Sequence, residues 1–187
     1  DGHLADIVSN SWGDVEANTT PDLAAAYDQV FQTGAVEGIG FYFSSGDSGD
    51  NVASTGVKQV DTPANSSWVT SVGGTSLAIG QTGHVLFEAG WETGASFIDP
   101  AVVTDGGVTT TPPTWDPAPP GEFIFGAGGG YSSVFEQPKW QKNVVPNSLA
   151  VIAGEARRAV PDVGMLADPF TGFIVGQTDP DLGTYSE

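Results

Sequence analysis

Three short runs hold the residues whose types and spacing could do chemistry. Ser9-Asn10-Ser11-Trp12-Gly13 closes one apolar run, Ser44-Ser45-Gly46-Asp47-Ser48-Gly49 closes the next, and Asp61-Thr62-Pro63-Ala64-Asn65 stands before a third. Asp47 offers the sharpest possibility. Acyl transfer builds negative charge on a former carbonyl oxygen, and a donor aimed at that oxygen contributes roughly 3 kcal/mol. A carboxylic acid can be that donor only while protonated. An Asp in this role ties the chemistry to low pH or to a locally raised pKa. On their own, the first two runs read equally well as glycine turns, and Asp61 as a turn cap before Pro63.

The elements that must position these residues follow from the apolar pattern. Leu4 to Ser11 has the length and composition of a strand. Thr20-Pro21-Asp22 predicts a helix start, with a capping hydroxyl, Pro in the first turn and an early acid. Leu23, Ala26, Tyr27, Val30 and Phe31 follow at helical spacing, and Gly34 or Gly38 ends the helix. Ile39 to Ser45 is a second apolar strand. Strand, helix and strand in this order predict a right-handed βαβ unit and an α/β fold with a mainly parallel sheet. Trp68 to Val72 reads as a third strand. Thr75 to Ile79 and His84 to Ala89, separated by Gly80-Gln81-Thr82-Gly83, read as a hairpin. The first two chemical runs then fall at carboxyl ends of parallel strands, where open α/β sheets bind ligands.

From about residue 99 to residue 121 the pattern breaks into Thr and Pro, including Thr109-Thr110-Thr111-Pro112-Pro113 and Pro117-Ala118-Pro119-Pro120. Pro at this density opposes regular structure, so the segment is expected to be a surface loop inserted into a single domain that occupies residues 1–187. Gly126 to Gly130 is glycine-rich, and Val160-Pro161-Asp162-Val163 reads as a turn or strand start.

Charge narrows the partners. There are 23 Asp and Glu against 5 Lys and Arg, a formal net charge of −18. The five basic residues form no patch, so nucleic acid and anionic membrane surfaces are not expected partners. Such a charge repels itself at neutral pH and relaxes in acid, which suits an acidic workplace; simple solubility or a high-salt habitat is the alternative reading. The chain has no Cys, which removes disulfides, thiolate catalysis and cysteine metal sites. No apolar run approaches the roughly 18 residues of a membrane span, and Asp1-Gly2-His3 opens no signal peptide.

Taken in order, the motifs carry a resemblance. Ser11-Trp12-Gly13, then Ser45-Gly46-Asp47-Ser48-Gly49, Pro63-Ala64 and Ser71-Val72-Gly73-Gly74-Thr75 resemble the sedolisin family of serine-carboxyl peptidases. Further matches are Gly128-Gly129-Gly130-Tyr131-Ser132, Phe135-Glu136-Gln137-Pro138 with Trp140-Gln141, Arg158-Ala159-Val160-Pro161-Asp162-Val163, and Ala167-Asp168-Pro169 with Thr171-Gly172-Phe173. The resemblance implies a subtilisin-like three-layer fold, helices on both faces of the sheet, and endopeptidase action on peptide or protein substrates at acid pH outside the cell. Of the family's catalytic set, it assigns only Asp47, as the acid of the oxyanion hole. It makes Ser11, Trp12 and Gly13 one wall of a substrate cleft whose backbone pairs with an extended peptide. It offers Asp61 as a subsite for a basic or hydrogen-bonding side chain, beside its reading as a turn cap.

The Glu base and its Asp partner are expected before Asp1, and the nucleophilic Ser after Glu187. The chain thus resembles the central part of a catalytic domain whose remainder lies on both sides. Alone it is expected to be inactive. No metal site is expected within the chain; the family's calcium is expected on residues beyond Glu187. A peptide-binding relic without catalysis and an all-β adhesion module are the rival readings. Two segments imitate other peptidases. Gly46-Asp47-Ser48-Gly49 looks like the nucleophile segment of trypsin-type enzymes, but the alternating strand and helix oppose that all-β fold. Gly73-Gly74-Thr75-Ser76 looks like a subtilase nucleophile segment, but its residues predict a strand. His3 and His84 read as solvated or capping residues.

Overall fold

A computed structural model describes residues 4–99, 102–104, 108–111, 113–172, 177–178 and 185–186. Its first half runs β1 (Ile7–Asn10), β2 (Asp14–Val15), α1 (Pro21–Val36), β3 (Gly40–Ser44), α2 (Val52–Thr55), β4 (Asp61–Thr62), β5 (Thr70–Ile79) and β6 (Val85–Gly90). Then come β7 (Glu92–Ala95), β8 (Phe97–Asp99), β9 (Val102–Thr104), β10 (Val108–Thr111), β11 (Thr114–Asp116), β12 (Glu122–Gly126), β13 (Gly130–Glu136), α3 (Asn147–Ala150), β14 (Val151–Ile152), β15 (Glu155–Val160) and β16 (Val163–Leu166).

The expected βαβ unit is present. Thr20 Oγ1 accepts from Leu23 N at 3.3 Å, Pro21 opens α1, and Gly38 turns the chain back with φ +83°. β1 and β3 pair in parallel, Ile7 opposite Gly40 and Asn10 opposite Phe43. The central sheet has the order β1-β3-β5-β16, all parallel, with β6 antiparallel to β5. α1 covers one face. There Phe31, Phe43, Ala64 and Val69 form the core, flanked by Tyr27 and Phe41. The Phe31 and Phe43 rings meet edge to face at 5.3 Å. Gly34 lets Phe41 in, since a Cβ there would lie 2.3 Å from its ring. On the other face Ile7, Tyr42, Val163 and Met165 are exposed. Among the described residues no second helical layer covers them, which agrees with a chain that forms part of a domain.

Two expectations change. The third strand and the first arm of the hairpin are one strand, β5, continuous through Gly73-Gly74. That glycine pair marks close approach, not a break: a Cβ on Gly73 would lie 2.5 Å from the Pro161 ring, and one on Gly74 2.8 Å from the Ala167 Cβ. The second change is the Thr/Pro-rich segment. Where described, it is a chain of antiparallel pairs: β7 with β12, β8 with β11, and β9 with β10. Pro113 precedes β11, Pro117 follows it, and Pro119-Pro120 precede β12. The prolines thus fall between strands, where no ladder N–H is lost, while the Thr residues suit the pleat. Residues 100–101, 105–107 and 112 of this segment lie outside the described residues.

A buried ion pair fixes β16 beside β5. Arg158 is fully buried and grips Asp162 with both terminal guanidinium nitrogens, Nη1 and Nη2, at 2.7 and 2.6 Å. Asp162 in turn accepts from Ser71 N at 2.8 Å and donates its own N–H to Ser71 O at 2.8 Å. The guanidinium lies 4.9 Å from the Trp140 ring centroid.

Candidate active site

A pocket of about 810 Å³ opens at the carboxyl ends of the parallel strands and runs along the uncovered sheet face. Ser11, Trp12, Gly13, Asp47 and Asp61, the residues singled out in the sequence, all line it. Trp91, which the sequence did not mark, lines it too.

The first wall leaves β1. Trp12 packs edge-on against core residue Phe43 at 5.3 Å and beside Tyr27 at 5.8 Å. Its indole Nε1 donates to Asn10 Oδ1 at 3.3 Å, and Asn10 Nδ2 donates to Tyr42 O at 3.3 Å. Gly13 carries no side chain because β2 lies against β4: a Cβ would sit 2.9 Å from Thr62 O.

The opposite wall leaves β3. Gly46 turns the chain at φ +106°. Ser45 is buried and donates its hydroxyl to Gly128 O at 2.7 Å, while Gly128 N donates to Gly46 O at 2.9 Å. Gly126 N donates to Asp47 O at 2.7 Å. The backbone is thus held and the Asp47 side chain is exposed, accepting from Ser48 Oγ at 3.4 Å. Gly46 also makes room for Asp61, whose Oδ2 would lie 2.2 Å from a Cβ there. Asp61 accepts from Asn51 Nδ2 at 3.0 Å, a bond to another loop and not to its own turn. Burial pushes its pKa up, the Asn51 bond opposes this, and the charges of Asp47 and Asp14 add to the rise.

Sequence reasoning missed Glu16. It is only 3 % exposed, yet among the described residues no basic side chain pairs with it. Instead Asn65 Nδ2 donates to Oε1 at 2.6 Å, Ser133 N to Oε2 at 2.6 Å, and the Ser132 and Ser133 hydroxyls to Oε1 and Oε2. One carboxylate therefore ties the segment after Trp12-Gly13 to the Asn65 turn and to β13. The available signal was that Asn65 and Ser132 stand in the Asp61–Asn65 and Gly128–Ser132 runs without an assigned partner.

Neither serine of the two look-alike segments lines the pocket. Ser76 lies in β5 and donates its hydroxyl to Asp168 Oδ2 at 2.7 Å. Ser48 faces Asp47; His84 lies in the turn before β6, where its carbonyl accepts from Gly80 N, and His3 is outside the described residues. Among the described residues no group of three or more His, Asp or Glu side chains is placed to hold a metal ion.

A subtilisin-like α/β sheet with a crevice at its strand ends defines the class, and comparison with known proteins agrees. Residues 2–153 match the subtilase family, and the chain belongs to it. It is 35 % identical to kumamolisin from Bacillus sp. (strain MN-32), over 97 % of this chain and 29 % of that protein. It is 29 % identical to sedolisin from Pseudomonas sp. (strain 101), over 90 % and 24 %. It is 28 % identical to rat (Rattus norvegicus) tripeptidyl-peptidase 1, over 89 % and 25 %. A solved structure of the Pseudomonas sedolisin, a serine-carboxyl proteinase complexed with two molecules of pseudo-iodotyrostatin, superposes with a TM-score of 0.64 at 28 % identity, covering 91 % of this chain and 40 % of that one. The resemblance to sedolisins seen in the motifs therefore holds, over well under half the length of each of these relatives.

Proposed function

We propose that this chain forms the central part of a serine-carboxyl endopeptidase that cleaves extended peptides in acid, outside the cell. The convergence of Ser11, Trp12, Gly13, Asp47 and Asp61 on one crevice carries the reading. The names of the relatives and the formal net charge of −18 support it. Ser11 to Gly13 offer backbone to a substrate strand. Asp61 receives a basic or hydrogen-bonding side chain, and its raised pKa favours the neutral, donor form in acid. Asp47, protonated, donates to the oxyanion.

The Glu base, its Asp partner and the nucleophilic Ser come from the rest of the domain, which also covers the exposed sheet face. Any calcium belongs to that remainder. The chain alone is then inactive. The complete protein should hydrolyse peptides in acid, and Asp47→Ala should remove most of that turnover. Peptide binding without turnover at any pH from about 3 to about 7 would favour the non-catalytic relic instead.

A further inference from the structure

The Thr/Pro-rich ribbon has no part in the chemistry above, yet its base is built into the crevice wall. Trp91, which lines the pocket, donates its backbone N–H to Gly74 O at 3.0 Å and accepts from Ala127 N at 2.8 Å. On the returning strand, Gly126 N donates to Asp47 O at 2.7 Å and Gly126 O accepts from Gly49 N at 3.0 Å. The ribbon therefore leaves the domain at the loop that carries Asp47.

Farther out, β8 and β11 form a two-stranded sheet, paired only with each other among the described residues. Both outer edges keep backbone donors and acceptors free to pair with an added strand. Ile98 stands directly opposite Trp115 on one face, and Phe97 opposite Asp116 on the other. Phe97, Ile98 and Trp115 are 67, 58 and 53 % exposed. A two-stranded ribbon is marginal on its own, and large apolar side chains left in water at such a place mark a surface that something covers.

Charge chooses the partner. Residues 92–126 contain Glu92, Asp99, Asp105, Asp116 and Glu122 and no Lys or Arg. Whatever negative charge the ribbon keeps in acid has no Lys or Arg in residues 92–126 to offset it, and so disfavours a second copy, nucleic acid and anionic lipid alike. A neutral or basic polypeptide in extended form fits the open edges, the apolar side chains and the acidic surround together.

We infer that the ribbon is an exosite: it binds the stretch of polypeptide substrate that continues out of the crevice, by strand addition to an open edge of the β8–β11 pair, with Phe97, Ile98 and Trp115 holding apolar side chains. This rests on the crevice being the peptide-binding site. It makes the enzyme selective for long, unfolded, neutral or basic chains over short peptides.

The test uses the complete protein and two variants, the triple substitution Phe97→Ser, Ile98→Ser and Trp115→Ser, and a form in which residues 97–116 are replaced by an Asn-Gly turn. Two substrates share one cleavage sequence: a peptide of about eight residues, roughly the length of a strand in the crevice, and an unfolded basic polypeptide of about sixty. In both variants kcat/KM for the short peptide should stay within about twofold, while KM for the long substrate rises about tenfold with kcat held. Unchanged cleavage of the long substrate overturns the exosite. An equal loss on both substrates, or loss of the fold in both variants, also overturns it, because the ribbon is then a support of the domain. A parent protein that cleaves neither substrate overturns the peptidase reading itself, and the exosite with it.

Discussion

The Ser76 hydroxyl donates to Asp168 Oδ2 at 2.7 Å, joining the strand that follows Gly73-Gly74 to the loop that follows β16. Asp168 also accepts from Phe170 N at 2.8 Å and Thr171 Oγ1 at 2.9 Å. Ser76 is thus engaged as a structural donor, in a strand, to a carboxylate that Phe170 N and Thr171 Oγ1 also hold. In the complete enzyme Ser76→Ala should leave turnover per folded molecule unchanged and lower stability by about 1 kcal/mol. A lost rate with a normal fold would return the nucleophile to this serine. The Ser76 bond, foremost, and those from Phe170 and Thr171 hold the Asp168 pKa below its ordinary value. A lowered folded pKa contributes stability above the unfolded value, lost only as pH falls through the lower one. This link should therefore persist down to about pH 4, and hydrogen exchange of the Phe170 amide should stay slow there.

Glu16 makes a sharper stability prediction. Glu16→Ala leaves the Asn65 amide, the Ser133 N–H and two hydroxyls without their acceptor in a buried place. The expected loss is about 3 kcal/mol or more. Glu16→Gln keeps the size but turns an amide NH₂ toward donors, so it should recover only part. Chemical denaturation of the three forms checks the order Glu, Gln, Ala. Equal stability of all three would mean that the carboxylate merely fills space.

Much of this architecture was legible because it rests on local pattern. Leu4 to Ser11, the capped helix from Thr20 and Ile39 to Ser45 each announce their type, and their order leaves few topologies. Ser11-Trp12-Gly13 and Asp47 followed, since they terminate those strands. Gly73-Gly74 misled because absence of a side chain signals either a break or close packing, and only Pro161, Ala167 and Trp91 decide which. The ribbon misled because Pro density does not show that Pro113, Pro117, Pro119 and Pro120 fall between strands. Glu16 and Arg158 were invisible for a different reason. A charged residue looks the same in sequence whether solvated or buried, and its burial depends on partners 49 to 117 residues away for Glu16 and on Trp140 for Arg158.

Asp61 links stability to pH. Its folded pKa is raised, first by burial and then by Asp47 and Asp14, with the Asn51 bond opposing. A raised folded pKa favours the fold fully below the unfolded value, and this contribution is lost as pH rises through the folded one. Stability should thus fall between about pH 4 and neutrality on account of this group. Asp61→Asn keeps an acceptor for Asn51 Nδ2 but cannot ionise. The variant should lose less stability than wild type across that interval. Thermal unfolding at several pH values checks this, and identical slopes would remove Asp61 from the account. If the subsite reading holds, the same variant should raise KM for substrates with a basic side chain at that position and leave kcat near wild type.

Asp47 decides the chemistry. Its backbone is fixed by Gly126 N, a bond that any substitution keeps, and among the described residues its exposed side chain is hydrogen-bonded only by Ser48 Oγ, at a long 3.4 Å. Replacing that side chain should change stability by about 0.5 kcal/mol or less. Asp47→Ala removes the proposed oxyanion donor, so turnover in the complete enzyme should fall about 100-fold or more, with KM little changed. Asp47→Asn keeps a donor of similar size that cannot ionise. It should retain more activity than Ala, and its decline toward neutral pH should be less steep than that of wild type, because one of the titrating groups is gone. The Glu base still titrates, so the acidic limb should survive in both variants. Turnover per folded molecule for the three forms, from about pH 3 to about pH 7, separates donation from a structural role. Unchanged turnover in Asp47→Ala would sink the oxyanion assignment. A stability loss in both variants with full per-molecule rates would make Asp47 a turn residue only.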